Sequence, residues 1–431
     1  MRYNIIILFL LFFCFPISGA LNSAYLAICI AIGDILIYNK TSRLFFLFKI
    51  TYIKNLLLAT CLITVLAALW TLIIGAKDFS LTAAFFSVLI GIISLTIVLA
   101  SLHINNLEID TIEEICVNVF VLQSLISIAA FILPTFREIV HHFQFSNEAE
   151  QAEMAYSGFR GLAISGRLYF EFAATCGLIV FVQFKRIVNM KSPNYFEFVK
   201  LFLLIICGFF AGRTSLIGIG FGLTYLLFSH KEIADKFAFI WRLIIMIMAL
   251  IVSAVLLLPG TIIEFVTEHF LPWVFDLFIK YFETGSTESS HSFTMLNEMY
   301  KNVTITSDEW IYGSGYFMSP NGIGYYKSVD GGYIRHLLYW GIIGSIINIW
   351  YGLIYFFKPI KLSANYNNRL YIFLALVYTF FVHYKGDLAS TSRFYHVILI
   401  CLLLPYVLVN KPYYFKYYKC GRNRYCPAVG R

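Results

Sequence analysis

What most constrains this chain is its succession of long, unbroken apolar runs, interrupted by one polar-punctuated stretch at 259–332. A bilayer span needs about 20 mostly apolar residues, because the hydrocarbon core is about 30 Å thick and a helix rises 1.5 Å per residue. Backbone groups in lipid must be bonded within a helix or a closed barrel. The runs do not alternate polar and apolar residues, which argues for helices. Only 13% of the residues are charged, against roughly 25% in soluble domains. The expected fold class is therefore an all-α polytopic membrane protein, a single integral membrane domain over 1–431.

Twelve transmembrane helices are expected, near 3–19, 21–38, 55–75, 82–102, 114–134, 167–184, 196–211, 214–229, 238–258, 333–357, 370–382 and 394–409. The short pair 196–211 and 214–229 meets at Gly212-Arg213-Thr214 and also reads as one broken element. With the N-terminus inside, 21 of the 32 Lys and Arg fall on the inner side, including Lys185, Arg186, Lys200 and the basic tail 410–431. This bias sets the orientation. Both termini then face the cytoplasm, and two loops, 135–166 and the large 259–332, face outward. Residues 1–20 resemble a signal peptide, but a second apolar run follows at once, so they read as an uncleaved first span.

The large outward loop is expected to contain short helices. Over 262–282, apolar residues from Ile262 to Tyr281 are interspersed with Glu264, Glu268 and Asp276, a pattern that suits an interfacial helix. A short helix at 293–302 and glycine-marked turns at 313–324 follow. The chain has no internal repeat.

A charged residue at the centre of a span costs about 2.5–3.5 kcal/mol on insertion scales. Four charged clusters nonetheless sit at helix ends on the outward side. The first holds Arg160, Arg167 and Glu171; Arg167 and Glu171 are spaced to pair on one helix face, as a local salt bridge or as part of a site. The second is Gly212-Arg213-Thr214-Ser215, where Arg213 is either an interfacial anchor or a fork for phosphate oxygens. The third is Asp330-Gly-Gly-Tyr-Ile-Arg335-His336, where Asp330 either caps a helix or serves as a general base. Gly341 and Gly344 beyond it suit close helix packing. The fourth is His383-Tyr-Lys385-Gly-Asp387, where Lys385 and Asp387 either neutralise each other or join the site. His291, in a polar stretch, is a weaker candidate.

Four clusters on one face point to one shared cavity. None has metal-ligand spacing, a P-loop or a dinucleotide fingerprint, so no cofactor and no metal ion is expected. Nucleic acid is not an expected partner either, because the +8 formal charge is spread over loop ends and the tail.

At these residues the chain resembles the O-antigen polymerases, the Wzy type of bacterial surface-polysaccharide assembly. The likeness lies in the layout of most of the chain: many spans, a large late outward loop, and a second outward loop before the sixth span. It lies also in the order of the arginine-bearing 158–171 segment, Gly-Arg-Thr-Ser at 212–215, Gly313-Ser314-Gly315, Asp330-Gly-Gly-Tyr-Ile-Arg with Gly341 and Gly344, and Lys385-Gly386.

The resemblance implies a metal-independent glycosyltransferase of the membrane C class in the bacterial inner membrane. It implies transfer of a growing glycan from undecaprenyl diphosphate onto another lipid-linked repeat unit at the periplasmic face, with membrane lipid and a chain-length-regulating co-polymerase as partners. Arg160, Arg167, Arg213 and Arg335 would hold the diphosphate, with Asp330 or His336 as base and Glu171, His291, Lys385 and Asp387 as secondary candidates. The related O-antigen ligases place a His near the start of the helix after the large loop, where this chain offers Asp330 and then His336. An O-antigen ligase is the nearer alternative, and a flippase for lipid-linked oligosaccharide the non-enzyme one. Transporters usually carry internal repeats, which this chain lacks. A scaffold subunit of a membrane complex is a third reading.

Overall fold

A computed structural model describes residues 1–431 except 19–20, 105, 145–160, 258, 286–290, 322–323 and 410–431. The described residues form eighteen α-helices and one two-stranded hairpin. The chain opens with α1 (Arg2–Phe13), the antiparallel hairpin β1 (Pro16–Ser18) and β2 (Leu21–Asn22), and α2 (Ser23–Ile37). There follow α3 (Thr41–Lys49), α4 (Thr51–Ile74), α5 (Ser80–Ser101), α6 (Ile109–Ile132) and α7 (Pro134–His142). The middle holds α8 (Phe170–Asn189), α9 (Tyr195–Ala211), α10 (Leu216–Phe228) and α11 (Ile233–Leu257). The late segment folds as α12 (Gly260–Phe265), a π-turn, α13 (Leu271–Thr284), α14 (His291–Asn302) and α15 (Ser307–Ile311). The chain then closes through α16 (Gly332–Leu362), α17 (Tyr366–His383) and α18 (Arg393–Leu408).

Among the described residues four helices, α4, α5, α6 and α16, are long and apolar enough to cross a membrane. The pair α2 and α3, bent by 118°, makes a fifth if counted as one broken span. Every one of the twelve expected runs contains a helix, although several are short. At 1.5 Å per residue, the 12 residues of α1 reach only about 18 Å. Exposed apolar side chains line α4 (Leu58, Leu62, Leu69, Ile73) and α11 (Phe237, Trp241, Met248, Val255). This is the surface of an all-α membrane protein, since a helix that meets lipid has no reason to hide its apolar face.

Helices α8 and α18 are buried along nearly their whole length; α18 is apolar all round, as expected of a buried helix. Around them pack α6, α9, α10 and α17. The first helix belongs to this core through Ile7, Leu8, Phe12 and Phe13.

Two expectations change. Lys185, Arg186 and Lys200 are not loop-end charges; they are buried and paired. Lys185 Nζ donates to both oxygens of Glu113 at 2.8 and 2.7 Å, and the Tyr406 hydroxyl donates to the same carboxylate. Arg186 meets Glu114 and Glu197, and Lys200 meets Glu197 at 2.9 Å. A helix that carries charge toward its end can keep it only where carboxylates face it. Gly341, moreover, does not serve close packing within a regular helix. It breaks α16, with φ 66° after an irregular Trp340, and a Cβ there would collide with the Ile311 carbonyl. The break frees the carbonyls of Leu338 and Tyr339, which accept the N–H groups of Ser314 and Gly315 at 2.7 and 2.9 Å. The late segment thus completes the backbone hydrogen bonding that the broken helix gives up.

Candidate functional site

The late segment is tied down before it reaches the site. Asp78, in the turn between α4 and α5, accepts the N–H groups of Phe317 and Met318 at 2.6 and 2.7 Å. Burial tends to raise its carboxyl, but these N–H donors and Ser80 outweigh that and lower it. Trp70 Nε1 donates to the Tyr312 carbonyl at 2.9 Å. Phe317 and Tyr325 are thereby set over the first turn of α16.

That turn splits its two basic side chains between different partners. The Arg335 guanidinium lies between two rings, 3.8 Å from the Phe317 centroid and 3.6 Å from that of Tyr325. It is buried, its Nε has no hydrogen-bond partner, and no carboxylate pairs with it within ion-pair distance among the described residues. Aromatic faces compensate part of the cost of burying a guanidinium, but a buried cation without a counter-anion remains expensive.

His336 points the other way, into the turn that follows α17. Its Nε2 donates to Asp387 Oδ2 at 3.0 Å, and the Thr391 hydroxyl donates to the same oxygen at 2.6 Å. Both side chains are nearly closed to solvent. A carboxylate only accepts, so the proton sits on Nε2 and Nδ1 of a neutral ring keeps its lone pair. That Nδ1 has no partner, and neither has Asp387 Oδ1. Burial would raise the Asp387 carboxyl, but His336 and, beyond it, Arg335 hold it well below the ordinary range.

His383 Nδ1 lies 3.6 Å from Asp387 Oδ1, yet the two are not an ion pair. That nitrogen already accepts the N–H groups of Leu388 and Ala389 at 3.1 and 3.2 Å, so it carries no proton. His336, His383 and Asp387 each offer one atom within 4.8 Å of the others, a two-histidine, one-carboxylate set. Metal ligands need free lone pairs. His383 Nδ1, which already accepts two backbone N–H groups, could join such a set only by giving them up.

Asp330 stands just before α16, in contact with solvent. The protein mass around it raises its carboxyl, against the pull of Arg335 and Lys385. Its backbone neighbour Gly331 lies under the Tyr300 ring, which stacks on Tyr384 at 4.2 Å. Tyr300 also donates to the Tyr384 carbonyl at 2.6 Å. Lys385 Nζ donates to the Thr214 hydroxyl at 2.9 Å, bringing the second cluster against the fourth.

Arg213 is engaged by the late segment. Its Nη1 meets Asp276 of α13 at 2.9 Å, and its guanidinium lies 5.1 Å from the Trp273 ring centroid. Arg167 and Glu171 lie 3.8 Å apart, as their spacing suggests, with Arg167 in the turn before α8 rather than on it. Glu171 accepts the Ser392 hydroxyl at 2.9 Å, which joins the first cluster to the loop that carries Asp387. Arg160 lies outside the described residues, as does the side chain of His291.

The clusters at 213–215, 330–336 and 383–387 are therefore in direct contact or electrostatically linked, with Glu171 adjoining through Ser392. Sequence reasoning missed Asp78, Phe317, Thr391 and Ser392. Of these, only Asp78-Phe-Ser80 carried a signal, an Asp just ahead of a helix whose side chain accepts the Ser80 N–H. No family model matches this chain, and neither the curated proteins nor the solved structures give a match.

Proposed function

We propose that this chain is a membrane glycosyltransferase that polymerises lipid-diphosphate-linked oligosaccharide repeat units. In this reading it spans the inner membrane twelve times with both termini cytoplasmic, and the Asp330–Arg335–Lys385 cluster faces the periplasm. The observation that carries it is Arg335: a buried guanidinium without a carboxylate partner among the described residues, beside a carboxylate raised above its ordinary range. A diphosphate would supply the missing counter-anion, and Asp330 the place for a proton.

The donor glycan's bond to its diphosphate breaks, and the electron pair leaves with the diphosphate oxygen. Charge grows there in the transition state, so fixed cations lower the barrier. Arg335 and Lys385 take this role first; Arg213 and Arg167 flank them. The acceptor hydroxyl oxygen forms the new glycosidic bond, and its proton passes to Asp330. The His336–Asp387 pair binds the first turn of α16 to the 384–392 turn and so keeps Arg335 and Lys385 both within electrostatic reach of Asp330. The partners are undecaprenyl-diphosphate-linked glycans as donor and acceptor, with a co-polymerase that regulates length.

A ligase is the second reading. It is favoured by His336 itself, whose Nδ1 lone pair is oriented by a carboxylate as in a general base. Lipid profiling of a deletion strain separates the readings. Loss of a polymerase leaves single repeat units on the core lipid. Loss of a ligase leaves polymer on the carrier, and loss of a flippase holds units inside; either result overturns the polymerase.

A further inference from the structure

Helix α8 starts at the site just described, where Glu171 meets Ser392, and runs 20 residues away from it. At 1.5 Å per residue its far end lies about 25–30 Å distant. There, the end of α8, the end of α10 and the start of α11 frame an open recess. Lys191, Lys231, Lys236 and Arg242 line it, against one carboxylate, Asp235. The floor is Phe239, buried and wedged between Phe184 and Phe198 at centroid distances of 5.6 and 5.4 Å.

Three other cations on α8 and α9 are paired. Lys185, Arg186 and Lys200 each meet a glutamate. Lys236 donates to the Leu227 carbonyl at 2.7 Å, which satisfies an open helix end. Lys191, Lys231 and Arg242 have no such partner: no carboxylate of a described residue lies within ion-pair distance of them. Three unneutralised cations on one apolar-floored recess attract an anion of matching size. Guanidinium and ammonium groups together suit the oxygens of phosphate. The flank of the recess continues along α11 into exposed Phe237 and Trp241, an apolar path that an acyl chain can follow. Basic recesses between membrane helices bind anionic headgroups on this principle.

We propose that this recess binds a phosphate-bearing anion, carried either by a membrane-lipid headgroup or by a soluble phosphate. The proposal is independent of the chemistry at Asp330 and Arg335.

The test uses the full-length protein in nanodiscs of phosphatidylcholine with one-fifth phosphatidylglycerol, by proportions of about 4 to 1. Lipid retained after delipidation is measured by native mass spectrometry, for wild type, for the double variant Lys231→Gln/Arg242→Gln, and for Lys54→Gln, which lies outside the recess. Wild type should retain phosphatidylglycerol over phosphatidylcholine, and the double variant should lose that preference by on the order of 10-fold, while Lys54→Gln keeps it. In a second arm, inorganic phosphate is titrated in detergent and thermal melting is followed. A phosphate-dependent rise in wild type, lost in the double variant and without lipid preference, assigns the site to soluble phosphate. If the double variant melts well below wild type in plain buffer, Lys191→Gln on the exposed rim replaces it in both arms. Equal lipid retention and equal phosphate response in wild type and variants overturn the proposal, as does a loss of preference with Lys54→Gln of the same size.

Discussion

His336 and Asp387 lie 51 residues apart in the chain and meet at 3.0 Å between the first turn of α16 and the turn after α17. Each leaves one polar atom without a partner in a nearly dry setting. The pair holds two segments together and also keeps unused hydrogen-bonding capacity beside a buried guanidinium. Arrangements of this kind are costly unless something else uses them.

Asp387→Asn replaces the acceptor of His336 with a weaker one. It should cost about 1–3 kcal/mol of stability and reduce glycan transfer on the order of 10-fold or more. Thr391→Val removes only the second donor to the same oxygen and should cost less in both respects. Thermal melting and polymer-length gels from complemented strains measure the two together; equal effects of the two variants would contradict the assignment.

Arg335→Lys keeps the charge but loses the flat face held between Phe317 and Tyr325. Cation–π contacts contribute about 0.5–2 kcal/mol, so transfer should fall by roughly 2- to 30-fold. Arg335→Gln should fall further. The comparison is made on purified protein with lipid-linked donor and acceptor.

As the proposed base, Asp330 would act as the carboxylate, so the rate should rise with pH as its proton leaves. Because the protein mass around it raises this carboxyl, the rise should occur at higher pH than for an ordinary aspartate. Arg335 and Lys385 pull in the opposite direction. Removing the positive charge with Arg335→Gln should therefore move the rise to still higher pH. A pH–rate profile that does not shift in the variant would count against Asp330 as the base.

Gly341→Ala meets both a positive φ and the Ile311 carbonyl. The φ alone costs about 1–2 kcal/mol, and the collision adds to it. Gly285→Ala has nearly the same φ, 69°, with open space around it, so it should be the milder change. Melting temperature, together with proteolysis of the 311–326 segment, distinguishes the two.

Lys185 and Glu113 form a fully buried pair. Removing one partner, as in Lys185→Met, should destabilise by about 3–5 kcal/mol, whereas Lys185→Met with Glu113→Leu should recover much of that loss. A double-mutant cycle of unfolding measures it.

Much of the fold was legible. The runs at 55–75, 82–102 and 114–134 correspond to helices Thr51–Ile74, Ser80–Ser101 and Ile109–Ile132. The late stretch folds into short helices, as its punctuation suggests. The break at Gly341 was not legible, because a glycine in an apolar run reads the same whether it packs a helix or interrupts it. The roles of Lys185 and Arg213 were not legible either. Whether a cation near a helix end faces water, Glu113 or Asp276 depends on which helix stands next to it.

By itself the amino-acid sequence determined where the long apolar helices lie, their helical class and the presence of four charged clusters, since apolar runs and charge are properties of local stretches. It did not show the short helices Thr41–Lys49 and Pro134–His142 or the Pro16–Asn22 hairpin that ends the first run at Phe13. Only the tertiary structure decided that Arg335 lies between Phe317 and Tyr325, that His336 finds Asp387, and that Lys191, Lys231 and Arg242 share a recess. The physical reason is that apolar helix faces are nearly interchangeable in lipid. Their pattern does not encode their neighbours, and the neighbours decide which charges are neutralised and which stay available.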